Sequence, residues 1–165
     1  MKEMTKTNLS AAFAGESQAH MKYMVFADFA EREGLPNIAR LFRAASFAEQ
    51  MHATAHFKAL GGPGTTVTNL EAAIGGETFE VNEMYPAYIA AAKQEQEKQA
   101  ETSMFRAFEA EKVHAQLYTR AKESAQTKKD FDLSAIYVCE VCGWTVEGAA
   151  PEKCPLCSST KFRKF

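Results

Sequence analysis

Apolar positions recur every three or four residues from the start of this chain to about Lys122, so most of it is predicted to be helical. From about Thr5 to Gly34 the series Leu9, Phe13, Glu16, His20, Tyr23, Ala27 and Ala30 marks one long helix, with two polar residues set into an apolar stripe. Met21, Met24, Val25 and Phe29 line a second side of that helix. A helix apolar on two sides needs more than one partner, which favours an oligomer. Gly34-Leu35-Pro36-Asn37 breaks the chain, Gly suiting the position after a helix and Pro the first turn of the next. The second helix runs to about Leu60 on the stripe Ile38, Leu41, Phe42, Ala45, Glu49, His52 and His56.

The segment Gly61-Gly62-Pro63-Gly64-Thr65-Thr66 reads as the start of a crossover connection. Thr68-x-x-Glu71 resembles a capping box, predicting a short helix over Asn69 to Ile74 that Gly75-Gly76 then loosens. A third long helix carries Glu80, Glu83, Met84, Ala87 and Tyr88 and continues through the polar run Lys93 to Glu101. A fourth follows on Met104, Phe108, Glu111, His114, Tyr118 and Ala121, with at most a brief interruption between the two. Beyond it, Glu123 to Asp132 is a polar linker, and a different pattern begins near Ile136. The expected organisation is a mainly α four-helix bundle with a long crossover over 1–125, a linker over 126–135 and a small four-cysteine β-ribbon domain over 136–165.

Composition narrows the class of function. A chain of 165 residues can bury one core and carry a small appendage. Its 46% hydrophobic and 24% charged residues, with a formal net charge of -2, offer no electrostatic footprint for nucleic acid or an acidic membrane. No apolar run approaches the roughly 18 residues of a membrane span, and the first residues lack a secretory apolar core. All four cysteines fall in the C-terminal ribbon, leaving none for disulfides among the helices. The expected location is the cytoplasm.

The chemistry lies in a phrase written twice, Ala48-Glu49-Gln50-Met51-His52-Ala53 and Ala110-Glu111-Lys112-Val113-His114-Ala115, 62 residues apart. Residues three apart share a helix face, so each Glu-x-x-His pair can reach one metal region. Each phrase is preceded by a candidate carboxylate, Glu16 lying 33 residues before Glu49 and Glu80 lying 31 before Glu111. An ionised carboxylate taken out of water costs several kcal/mol even after relaxation. Five acids (Glu16, Glu49, Glu80, Glu83 and Glu111) and two imidazoles (His52 and His114) nevertheless fall on core stripes, without a Lys or Arg there to neutralise them. Two divalent cations would do so, and carboxylates with a few imidazoles suit iron or manganese better than zinc. A single Glu on a helix is usually a solvated surface residue; the doubled phrase with matched upstream acids is what sets these apart. Glu83 has no acidic counterpart in the first helix, where the matching position falls near Ala19, and this makes the two metal positions unequal. His20 and His56 are read as hydrogen-bonding or surface residues. Tyr23 and Tyr88, about two turns from ligating acids, could orient them.

Cys139-x-x-Cys142-Gly143-Trp144 and Cys154-Pro155-x-Cys157 form two knuckles for a tetrahedral four-thiolate metal site. In isolation such a module is more often a zinc ribbon. Beside a two-metal bundle it suits an iron centre that passes single electrons.

The order Gly15-Glu16-Ser17-Gln18-Ala19, Glu49-x-x-His52, Gly76-Glu77-x-x-Glu80-x-x-Glu83-Met84-Tyr85-Pro86, Glu111-x-x-His114 and then a short cysteine ribbon resembles rubrerythrin over essentially the whole chain. The resemblance implies a ferritin-like bundle with two non-haem irons, a rubredoxin-like iron-tetrathiolate domain held by Cys139, Cys142, Cys154 and Cys157, and reduction of hydrogen peroxide to water as oxidative-stress defence. It implies that Glu16, Glu49, Glu80, Glu111 and His114 hold the irons in both redox states, one iron moving between Glu83 and His52, and that Tyr23 and Tyr88 support the ligands. Ser158 departs from the pattern, since the second knuckle often has Gly there. The electron donor would be a rubredoxin or an NAD(P)H-linked reductase, and a homodimer, with exchange of helix pairs open to it, would bring the iron-thiolate centre to a neighbouring subunit. Two other readings are a ferroxidase and a structural bundle with a zinc-ribbon binding module.

Overall fold

The computed structural model describes residues 1–165, which fold as two compact units, Met1–Gly64 and Thr65–Phe165. The chain is mainly α, with a small C-terminal sheet around the cysteines, in agreement with its sequence pattern.

The first unit is a hairpin of α1 (Glu3–Arg32) and α2 (Pro36–Ala59). The α1 end is closed by Gly34, with a φ of 76° that only glycine adopts without strain. There Leu35 N–H donates to Ala30 C=O at 2.9 Å and Gly34 N–H to Glu31 C=O at 3.1 Å, satisfying carbonyls the helix would leave orphaned. Ala27, Ala30, Ala39, Ser46 and Ala53 are buried, so the two helices meet through small residues that let their backbones approach. Aromatic pairs flank this seam: Phe13 stacks on Phe57 with centroids 5.4 Å apart, and Tyr23 and Phe26 both lie against Phe42.

In the second unit α3 (Thr66–Phe79), a π-helical turn (Glu80–Met84) and α4 (Tyr85–Gln94) form one continuous rod that packs on α5 (Lys98–Gln126). Thr65 caps α3, its hydroxyl accepting from Thr68 N–H at 3.2 Å, so the cap lies three residues ahead of Thr68, the cap expected from the Thr68-x-x-Glu71 box. It also runs straight through Gly75-Gly76, because packing on α5 outweighs the cost of about 1 kcal/mol per helical Gly. The third long helix does not continue through Lys93 to Glu101. It stops at Gln94, where Gln96 takes a φ of 61° and Glu97 N–H closes on Ala92 C=O at 2.9 Å. This is the terminus seen after α1, with glutamine in place of glycine, which is why the polar run does not advertise a break.

The π-helical turn arises at Pro86. Proline has no N–H to give and crowds the carbonyl four residues back, and the loosened turn relieves both, with Tyr85 N–H reaching five residues back to Glu80 C=O. A turn of this kind inserts one residue and rotates everything after it by about 100°.

Three short strands follow, β1 (Ile136–Cys139), β2 (Thr145–Glu147) and β3 (Phe162–Lys164), antiparallel in the order β2-β1-β3. Val138 pairs with Thr145 and Cys139 with Phe162. The ribbon lies on α5, where the Arg120 guanidinium donates to the Glu147 carboxylate at 2.6 Å. No helix is long and apolar enough to cross a membrane.

Candidate metal centres

On the α1–α2 hairpin, Glu16, Glu49 and His52 offer ligand atoms within 4.8 Å of one another. Glu49 Oε2 is 2.8 Å from His52 Nδ1, as the three-residue spacing on α2 dictates. The His52 side chain is 57% exposed and that of Glu49 21%. His20, one turn beyond Glu16, does not join them. Its Nδ1 faces the hydroxyl of the fully buried Ser46 at 2.9 Å, and the same hydroxyl donates to the His20 carbonyl, so His20 clamps α1 to α2. His56 is also outside the cluster. Tyr23 lies in the aromatic group with Phe26 and Phe42.

The second unit holds a cluster of its own. Glu77, Glu111 and His114 converge within 4.8 Å, Glu111 Oε2 lying 2.6 Å and Glu77 Oε1 3.9 Å from His114 Nδ1. Burial, followed by the adjoining Glu111 and Glu80 carboxylates, holds the Glu77 carboxyl up at about 7. Burial and Glu111 raise Glu80 as well, which places it at the edge of the same cluster. Burial and then Glu80, Glu111 and Glu77 push the Tyr85 hydroxyl up, and burial with Glu77 and Glu111 does the same to Tyr118. Glu83 is exposed and Tyr88 is 52% exposed; neither belongs to this cluster.

Tyr118 lies on the fourth helical stripe and Glu77 and Tyr85 in the quoted motif, but none of the three was assigned a role, although a signal for the last two is present. Thr7-Asn8-Leu9-x-Ala11-Ala12-x-x-Gly15-Glu16 recurs as Thr68-Asn69-Leu70-x-Ala72-Ala73-x-x-Gly76-Glu77, an offset of 61 residues, whereas Tyr23 matches Tyr85, Glu49 Glu111 and His52 His114 at an offset of 62. The extra residue falls between Glu77 and Tyr85, where the π-helical turn inserts one. Glu80 then corresponds to Ala19 and is the acid without a partner in the first half.

The donor sets fit divalent cations. Each half gathers carboxylates against an imidazole Nδ1, a juxtaposition of acceptors that burial makes costly until a cation lies between them. Carboxylate-rich sets of this kind suit iron or manganese.

In the ribbon, Cys139 Sγ is 3.5 Å from Cys157 Sγ and Cys142 Sγ 3.5 Å from Cys154 Sγ. These are close to the edges of roughly 3.8 Å expected of a tetrahedron with metal–sulfur bonds of about 2.3 Å. Burial raises the Cys139 thiol, but hydrogen bonds from Val141 and Cys142 N–H outweigh it and bring the group down to about 7. Burial and the neighbouring sulfurs push Cys142 up to about 12. Four thiols so placed cannot all ionise without a cation. The knuckles are near copies: Gly143 N–H donates to Cys139 C=O and Ser158 N–H to Cys154 C=O, both at 2.9 Å, with φ of 78° and 60°. Ser158 therefore occupies the left-handed position that glycine fills in the first knuckle, at a cost of about 1–2 kcal/mol.

Comparison with known proteins agrees with both sites. The family model described as Rubrerythrin matches residues 7–122, and that described as Rubrerythrin, rubredoxin-like domain matches 137–163. Rubrerythrin-2 of Clostridium acetobutylicum is 39% identical over 98% of this chain and 97% of its own length. Nigerythrin of Nitratidesulfovibrio vulgaris is 36% identical over 95% of this chain and 83% of its own. The solved structure of fully reduced, all-ferrous nigerythrin aligns with a TM-score of 0.54 at 34% identity, covering 98% of this chain and 86% of that one. The acid–imidazole clusters and the four cysteines are thus candidate diiron and rubredoxin-like centres.

Proposed function

Because this chain belongs to the rubrerythrin family, we propose that it is a non-haem diiron oxidoreductase that reduces hydrogen peroxide to water in the cytoplasm, as a defence against oxidative stress. The observation that carries this reading is the unequal pair of half-sites, Glu16, Glu49 and His52 in one and Glu77, Glu80, Glu111 and His114 in the other. When bound, two ferrous ions would supply the two electrons that, with two protons, convert one peroxide into two waters.

Glu16, Glu77, Glu49 and Glu111 would hold and neutralise the cations, and His114 would bind through Nδ1. The unpaired acid Glu80 and the exposed His52 are the ligands able to change places with oxidation state, a role that the family resemblance carried onto Glu83. Tyr85, kept as a hydroxyl by burial among Glu80, Glu111 and Glu77, would donate to these carboxylates, and Tyr23, its counterpart in the repeat, would serve the first cluster in the same way. Cys139, Cys142, Cys154 and Cys157 would hold one iron, which would supply one-electron transfer from a rubredoxin or an NAD(P)H-linked reductase. The protein works as a homodimer in which the α1–α2 hairpin of one chain completes the acid cluster of the other. Exposed Phe26, Phe29, Leu41 and Phe47, together with the exposure of His52, support that assembly.

Stopped-flow mixing of the anaerobically reduced, iron-loaded protein with peroxide or with oxygen tests the activity. Oxidation by peroxide is expected to be much the faster; faster oxidation by oxygen would favour a ferroxidase instead. A protein that stays colourless after iron loading and air oxidation would point to a zinc-ribbon module without turnover.

A further inference from the structure

The geometry points to Thr145 as a positioning residue that fixes the His114 imidazole with its proton on Nε2 and ties it to the first cysteine knuckle. The inference rests on the reading of His114 as a metal ligand and goes beyond it, to what holds that ligand in place. Thr145 opens β2, three residues after Cys142, and is 3% exposed. Its Oγ1 donates to Gly143 C=O at 3.0 Å and lies 2.9 Å from His114 Nε2. A hydroxyl has one proton to give. Since that proton goes to Gly143, Thr145 accepts from His114, and Nε2 must carry the hydrogen. In the neutral ring Nδ1 is then left with its lone pair, aimed at the side where Glu111 Oε2 and Glu77 Oε1 gather.

The sheet makes this hydroxyl a rigid fixture. Thr145 pairs with Val138, and the preceding Trp144 accepts from Cys139 N–H at 2.9 Å, so the group that holds the imidazole is set by the backbone that shapes the cysteine site. The bond lies beside an apolar cavity of about 360 Å³ between α5 and the ribbon, lined by Leu70, Leu117, Phe131, Ile136 and Val138. In apolar surroundings a hydrogen bond is stronger, and its loss leaves the Nε2–H of a side chain only 30% exposed without that partner. His52 presents the same nitrogen to Glu49 but on a side chain 57% exposed. One imidazole is therefore pinned and the other is free to move, the division of labour a site with one redox-dependent ligand requires. Groups that orient a metal-bound histidine typically contribute 10–100-fold to metal affinity.

The test compares full-length wild type with Thr145→Ser, which keeps the hydroxyl, and Thr145→Val, which keeps the shape. In zinc-loaded protein the wild type and Thr145→Ser should show a slowly exchanging imidazole Nε2–H resonance that is missing in Thr145→Val. Anaerobic Co2+ titration should show binding at the helical site weakened about 10–100-fold in Thr145→Val and close to wild type in Thr145→Ser. Thr145→Ala reads the same way should valine disturb the ribbon, and the ferric-thiolate band reports that the cysteine site is intact. A persistent resonance in Thr145→Val, or unchanged Co2+ affinity, overturns the assignment. His114→Ala separates it from the reading beneath: if that variant binds Co2+ as tightly as wild type, it is His114 as a ligand that fails.

Discussion

Glu77 and Glu83 are both acids on one rod of helix, but only Glu77 stands against Glu111 and His114. Glu77 is half-buried with its carboxyl raised to about 7, the signature of a group that a cation would relieve, whereas Glu83 is exposed. Glu77→Ala should therefore weaken iron binding at the helical site by at least about 10²-fold, more than loss of an orienting partner costs. Glu83→Ala should leave it within about 3-fold of wild type; the two are compared by competition titration against a chelator, with the cysteine site as internal control. Glu49, His52, Glu111 and His114 were legible because a three-residue spacing on a regular helix needs no knowledge of its neighbours. Glu77 and Tyr85 were not, because a stripe drawn at 3.6 residues per turn from Glu80 to Glu83 and Tyr88 assumes a regular helix where the chain makes a π-helical turn.

Helix boundaries followed the same division. The α1 end was readable because glycine occupies the left-handed position, and the end of α4 was hidden because Gln96 occupies the equivalent one. Gly75-Gly76 misled in the opposite sense, reading as a weak point inside what is an uninterrupted α3. In the repeat, Gly75 matches Ala14 of α1, so this face accepts a methyl group, and a Cβ built on Gly75 meets nothing within 4 Å. Gly75→Ala should raise the stability of the protein by about 0.4–1 kcal/mol, chiefly by restricting the unfolded chain. A shift of the urea midpoint upward at constant slope would show this; a downward shift would mean that the bundle needs the backbone at Gly75 to be bare.

At the scale of the molecule, every fully buried hydrophobic residue of the helices is an alanine, while Phe29, Leu41, Phe47 and Phe79 are half or more exposed. A chain of this size normally buries large side chains to offset its conformational entropy, so the helices need further cover. The proposed exchange of hairpins between two chains would supply it and makes a specific prediction. A chain carrying Glu16→Ala and Glu49→Ala and a chain carrying Glu77→Ala and Glu111→Ala should each be inactive as homodimers. Refolded together, they should recover up to about half the peroxidase activity per heterodimer, because one of its two sites then receives both intact halves. If every chain completes its own site, the mixture stays inactive.

The amino-acid sequence by itself determined what depends on local spacing and residue chemistry: the helical class, the two Glu-x-x-His pairs and the four clustered cysteines. These follow from the pitch of a helix and from the ligand preferences of metals, which act within a turn or a knuckle. Tertiary structure decided which upstream acid meets Glu111, which tyrosine flanks it and what holds His114. A one-residue π-helical insertion ahead of Pro86 rotates the rod, and a hydroxyl 31 residues further along the chain reaches the imidazole only once the ribbon has settled on α5. Such choices rest on phase and on contacts between distant segments, and periodicity carries neither across a defect in the helix nor from a helix to a sheet.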